Sequence, residues 1–92
     1  MSNALVANLI VQVGRRVRRG TPIDDAMRHT VAQYWQSIDP DTVRSAERDA
    51  WDLMNEVVHE RYGEVRDIKD IEDRDELLQF VRSAQRKARD SD

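Results

Sequence analysis

Glu56 and His59, three residues apart in the stretch RDAWDLMNEVVHERYG (residues 48–63), have the types and spacing of a metal or proton-transfer pair. A carboxylate and an imidazole one helical turn apart can hold an ion when both project into a bundle core and meet carboxylates from neighbouring helices. Asp25 and His29 form a second acid–histidine pair, four residues apart. Whether either pair does chemistry depends on which way its helix faces.

The apolar spacing sets those faces. In a helix through residues 40–62, Val43, Ala46, Ala50, Trp51, Leu53, Met54, Val57, Val58 and Tyr62 cover about half the circumference, and Glu56 and His59 project away from it, beside Asp52 and Arg48. Asp25 and His29 likewise lie opposite the stripe of their own helix. Both pairs therefore read as solvated helix-surface pairs worth a few tenths of a kcal/mol. The chain also has no glycine-rich phosphate loop, no zinc-binding spacing and no serine in a recognisable triad motif. It is expected to be a non-enzyme, with no catalytic residue, no metal and no cofactor.

Composition narrows the class further. Ninety-two residues, 39% apolar and 36% charged, suit one small domain over residues 1–92, which buries roughly 60 to 65% of its unfolded surface and is only modestly stable alone. Without cysteine there is neither a disulfide framework nor a thiolate metal site. The apolar run from Ala4 to Val13 is too short to span a bilayer, and its positive charges follow it, where a secretory signal would place them first. A cytoplasmic protein without a transmembrane segment is expected. Thirteen of the fifteen basic residues are arginine, yet the net charge of −3 argues against a surface built wholly for nucleic acid.

Spacings of three and four dominate the whole chain, which predicts an all-α, four-helix domain with a long central third helix. Helix one should cover residues 3–19, with Leu5, Val6, Leu9, Ile10, Val13 and Val17 inward and Gly20 ending it. The β-branched run LIVQV and Gly14 make a strand the competing local structure there. Helix two, residues 22–37, opens at TPIDD with Thr21 as cap and Pro22 in the first turn; Ile23, Met27, Val31, Tyr34 and Ile38 form its stripe, with Trp35 at the edge. Helix three opens at SIDPDTV, with Asp39 as cap, Pro40 first in the helix and Ile38 and Val43 at staple positions, and stops at Gly63. A charged connection, residues 63–72, offers Val65, Ile68 and Ile71 as anchors. Helix four, residues 74–89, starts from an Asp73–Glu76 capping box, turns Leu77, Phe80, Val81, Ala84 and Ala88 inward, and leaves a frayed tail at 90–92.

Two arginine clusters are left over. RRVRRG closes helix one and VRSAQRKAR closes helix four, so Arg15, Arg16, Arg18, Arg19, Arg82, Arg86, Lys87 and Arg89 are the candidates for an anionic partner. Cations in a last turn complement the helix dipole by about 0.3 to 1 kcal/mol each, which explains part of both clusters but not four arginines within five residues. A helix-turn-helix reading of helices two and three, with Arg44 and Arg48 towards DNA, is disfavoured by a turn without glycine, by Gln36 on the inner face and by Asp39, Asp41 and Asp49 near the phosphates. Glu47 falls within the apolar arc of helix three and needs either water or an arginine, while Arg61 has the length to snorkel.

Two functions follow as expectations. The first is a small helical protein-interaction, regulatory or adaptor protein, of the kind phages use as accessory factors, docking an apolar-aromatic surface made of Tyr34, Trp35, Trp51 and Tyr62. The alternative is a nucleic-acid binder using the arginine clusters. The wide apolar arc of helix three, with few elements to cover it, predicts a homodimer with Trp35 or Trp51 at or near the contact.

Overall fold

The computed structural model describes residues 3–90, so Ser91 and Asp92 of the expected tail lie outside the described residues, and Asp90 belongs to the last helix. Among the described residues four α-helices follow one another: α1 (Asn3–Arg18), α2 (Ile23–Tyr34), α3 (Pro40–Tyr62) and α4 (Arg74–Asp90), with a 3-10 turn (Ile68–Asp70) between α3 and α4. No strand occurs among the described residues. The Cα radius of gyration is 12.3 Å, close to the ~12 Å of a compact fold of this length. No helix among the described residues is long and apolar enough to cross a membrane.

The strand-like run in α1 has a physical explanation. Leu9, Ile10 and Val13 are fully buried and Val6, Ala7 and Val17 nearly so, because α1 packs against α2, α3 and α4 at once. A helix enclosed on three sides needs apolar residues round most of its circumference, and β-branched ones fill that space as well as leucine does. α3 also contacts every other helix and the 3-10 turn, but the most extensive interface is α1 with α4.

Helix ends follow local chemistry with three corrections. At α3 the Thr42 N–H donates to Asp39 Oδ2 at 3.1 Å and Pro40 takes the first turn, as their side chains dictate; Gly63, at φ 77°, then ends the helix with its N–H on the His59 carbonyl. At α2, Thr21 does not cap: the helix starts at Ile23 after Pro22, with no side-chain cap, and ends at Tyr34, three residues short of the expected position, because Gln36, Ser37 and Ile38 turn back onto the carbonyls of Gln33 and Tyr34. At α4, Asp73 Oδ1 accepts from the N–H groups of Asp75 and Glu76. The Glu76 carboxylate does not close a capping box; it accepts the Tyr62 hydroxyl and lies 3.7 Å from Arg61.

The connection after α3 is an anchored strap. Ile68 is fully buried and Ile71 nearly so, the Ile68 N–H donates to Asn55 Oδ1 at 2.8 Å, and the Asp67 N–H donates to Asp70 Oδ2 at 3.0 Å. Val65, expected as a third anchor, is 87% exposed. Leu53 is another correction: it is half-buried at the edge of the core, whereas Met54 beside it is fully enclosed. Thr30, absent from the expected stripe, is fully buried and donates to the Ala26 carbonyl at 2.8 Å, so its hydroxyl is satisfied within its own helix. Glu47 is half-exposed and so keeps access to water.

Candidate functional site

Glu56 and His59 go to different partners. Glu56 lies 3.2 Å from Lys87 Nζ on α4, and His59 Nε2 lies 3.0 Å from Asp67 Oδ1 in the strap. Each thus ties α3 to a neighbouring element. Asp25 pairs with Arg28, and His29 is exposed. No group of three or more metal-ligating side chains occurs among the described residues.

The four aromatic candidates differ in exposure and in what they touch. The Tyr62 hydroxyl donates to Glu76, its ring meets Phe80 edge-on at 6.1 Å, and the Arg66 guanidinium lies over the ring at 4.7 Å from its centre. The hydrogen bond to Glu76, then burial, then the negative charge of that carboxylate raise the phenol above its usual 10.0. Trp51 is half-buried under Lys69, whose Nζ sits 4.7 Å from the ring centre. Tyr34 is half-buried against the core, and Trp35, 50% exposed in the α2–α3 turn, is the one aromatic that stands out into solvent among the described residues. The 3-10 turn of the strap packs on α3, with Ile68 buried and its N–H on Asn55 Oδ1.

The arginines behave differently. Arg28, Arg44 and Arg61 have carboxylate partners, and Arg66 bonds the Asp70 carbonyl. Arg15, Arg16, Arg18, Arg19, Arg82, Arg86 and Arg89 have no carboxylate within ion-pairing distance among the described residues. Lys87 separates from this set: it bonds Glu60 and Glu56 on α3, and these hydrogen bonds, Glu60 foremost, raise its ammonium above its usual 10.5.

Packing brings part of the two clusters together. A Cβ on Gly14 would lie 3.2 Å from Val81 Cγ1, and one on Gly20 would lie 3.7 Å from Arg74 Nη1, so residue numbers rise along α1 as they fall along α4 and the helices run antiparallel. The basic end of α1 therefore meets the first half of α4. Arg15, Arg18 and Arg82 then rim one groove of about 140 Å³, floored by Val11, Gly14, Leu78 and Val81, with Gln85 at its side. Arg89 is two turns beyond Arg82 on the same stripe of α4. Arg86 lies instead in a separate groove between α3 and α4, with Glu60, Arg61 and Lys87. Arg16 is half-buried, its Nε enclosed without a partner, and Arg19 is exposed past the end of α1.

Electrostatics sharpen the seam. Residues 1–20 contain four arginines and no carboxylate, while all eighteen acidic residues follow. Asp52, Glu56, Glu60 and Glu64 line a groove along the exposed side of α3. A negative net charge thus coexists with a local basic face. The floor residues Val11, Gly14 and Leu78 are absent from the sequence-derived site, and the signal for them was Gly14 itself, since a glycine inside an apolar helix pattern marks a close approach. Comparison with protein-family models, with curated proteins and with solved structures finds no match for this chain.

Proposed function

We propose that the protein is a small helical binding module, without catalytic activity of its own, that docks an anionic partner on the α1–α4 seam. The observation that carries this reading is the gathering of Arg15, Arg18 and Arg82 round one groove with no carboxylate of the described residues paired to any of them. Like charges drawn together by folding repel one another, and nearby carboxylates would relieve that cost. The carboxylates that form ion pairs among the described residues lie elsewhere. Arginine suits the task because its planar fork gives paired hydrogen bonds to carboxylate or phosphate and stays charged at every relevant pH.

Retention on an immobilised heparin column tests the reading, with heparin as a generic polyanion. The wild-type chain is expected to be held at low salt and released as salt rises, and the triple variant Arg15→Ala/Arg18→Ala/Arg82→Ala to pass unretained. Equal elution of the two proteins would remove the seam as the docking surface.

A second reading, docking of a protein or a second copy through an aromatic surface, rests on Trp35, half exposed in the α2–α3 turn beside the half-buried Tyr34 and Ile38. Pairing of two chains there would make mass depend on concentration in sedimentation equilibrium, and Trp35→Ala would abolish that dependence.

A further inference from the structure

The seam combines two properties that one class of anion satisfies together. Its rim is arginine, but its floor is apolar: Val11 and Leu78 are half-buried and Val81 closes the bottom at 2% exposure. A phosphodiester backbone offers charge and no apolar group for such a floor. A single nucleic-acid strand would offer its bases, yet the seam is lined by no aromatic side chain on which they could stack. The carboxylate row on α3 and the net charge of −3 also work against long-range attraction of a nucleic acid, whose charge density is high, more than against a short peptide carrying a few carboxylates.

We infer that the partner on the α1–α4 seam is an acidic amphipathic segment of a protein, which sets an aliphatic side chain between Val11 and Leu78 and its flanking carboxylates on Arg15, Arg18 and Arg82. This rests on the reading of the seam as an anion-docking surface and names the chemistry of its occupant. The charges are complementary, and the groove, about 140 Å³, has room for one aliphatic side chain rather than for a drug-sized ligand. Arginines on both helices fix the register of the segment across the seam, and the apolar anchor supplies the affinity that rim ion pairs in water do not.

Fluorescence anisotropy with three labelled probes tests this: an acidic helix of leucine, alanine and glutamate; a glutamate–alanine peptide of the same length and charge without leucine; and a DNA duplex. The leucine-bearing peptide is expected to bind roughly tenfold or more tighter than the leucine-free one, the gain that one buried leucine side chain brings. Leu78→Ala should erase that preference, Val11→Ala serving as the second floor variant should Leu78→Ala lower stability too far. Arg82→Glu should weaken both peptides. A duplex that binds more tightly than the leucine-bearing peptide, or two peptides of equal affinity, overturns the inference while leaving an anion-docking seam. Binding of none of the probes in an Arg82-dependent way overturns the underlying reading as well.

Discussion

Gly14 of α1 and Val81 of α4 meet so closely that a Cβ on residue 14 would lie 3.2 Å from Val81 Cγ1. Val81 is β-branched, helical and 2% exposed, so it has little freedom to turn aside. Gly14→Ala gains about 1 kcal/mol of helix propensity and loses about 1 to 3 kcal/mol to overpacking, which predicts a net loss. In a Val81→Ala background the same substitution should stabilise the fold by about 1 kcal/mol, because only the propensity gain remains. Urea unfolding of the wild type, the two single variants and the double variant checks both signs; stabilisation in both backgrounds would show that the helices are not in close contact here.

Adjacent residues on α3 should differ sharply. Met54 is fully enclosed and Leu53 lies half-buried at the core's edge. Met54→Ala is expected to cost about 2 to 5 kcal/mol through the cavity it leaves. Leu53→Ala should cost clearly less, about 1 kcal/mol, because part of the side chain is already in water. Equal losses in denaturant titrations would mean that Leu53 is as enclosed as Met54.

The Tyr62–Glu76 contact predicts a pH dependence. The phenol's pKa is raised in the folded chain, so the neutral form is the one that folding favours. Its contribution is fully present below the ordinary value of 10.0 and is lost as pH rises above it. Lys87, raised above 10.5, has the same sign in the next part of the range. Unfolding midpoints measured at pH 9 and upward should fall for the wild type and fall less for Tyr62→Phe; identical slopes would remove the phenol–carboxylate contact from the account.

His59 ties the strap to α3 through Asp67, and the pair is partly exposed. His59→Ala is expected to cost about 0.2 to 1 kcal/mol, with Asp67→Ala costing about the same and the double variant no more than either alone. Additive losses would show that the two side chains act independently.

What could be read from the sequence was mostly local. Asp39 followed by Pro40 specifies a helix start whatever the rest of the chain does, because cap and first turn lie within a few residues. Gly63 specifies a stop for the same reason. Thr21 and Pro22 have the same chemistry but depend on where the preceding turn sets the backbone, and there the cap is lost. The alternation of faces sent Glu56 outward, but periodicity carries no information on which cation from another helix would meet it, so Lys87 was grouped with the free arginines although α3 claims it. The strap was harder still: Ile68 and Val65 look alike in the sequence, and only the Asn55 bond and the direction of the turn decide that one is buried and the other exposed. The same limit applied to the site. Two arginine clusters were visible, but their meeting depends on the antiparallel packing of α1 on α4, a relation between residues more than sixty positions apart.

One measurement bears most directly on the claim that the seam, rather than overall charge, receives the partner. Arg82 rims the groove, whereas Arg48 is an exposed arginine on α3 with no ion pair among the described residues, and Arg82→Glu and Arg48→Glu change the net charge equally. Titration of the labelled leucine–glutamate peptide into the wild type and these two variants at one fixed salt concentration should leave the Arg48→Glu affinity near that of the wild type and weaken Arg82→Glu about tenfold, the scale expected when a rim contact turns into a repulsion. Equal weakening in both variants, or none in either, would contradict the account.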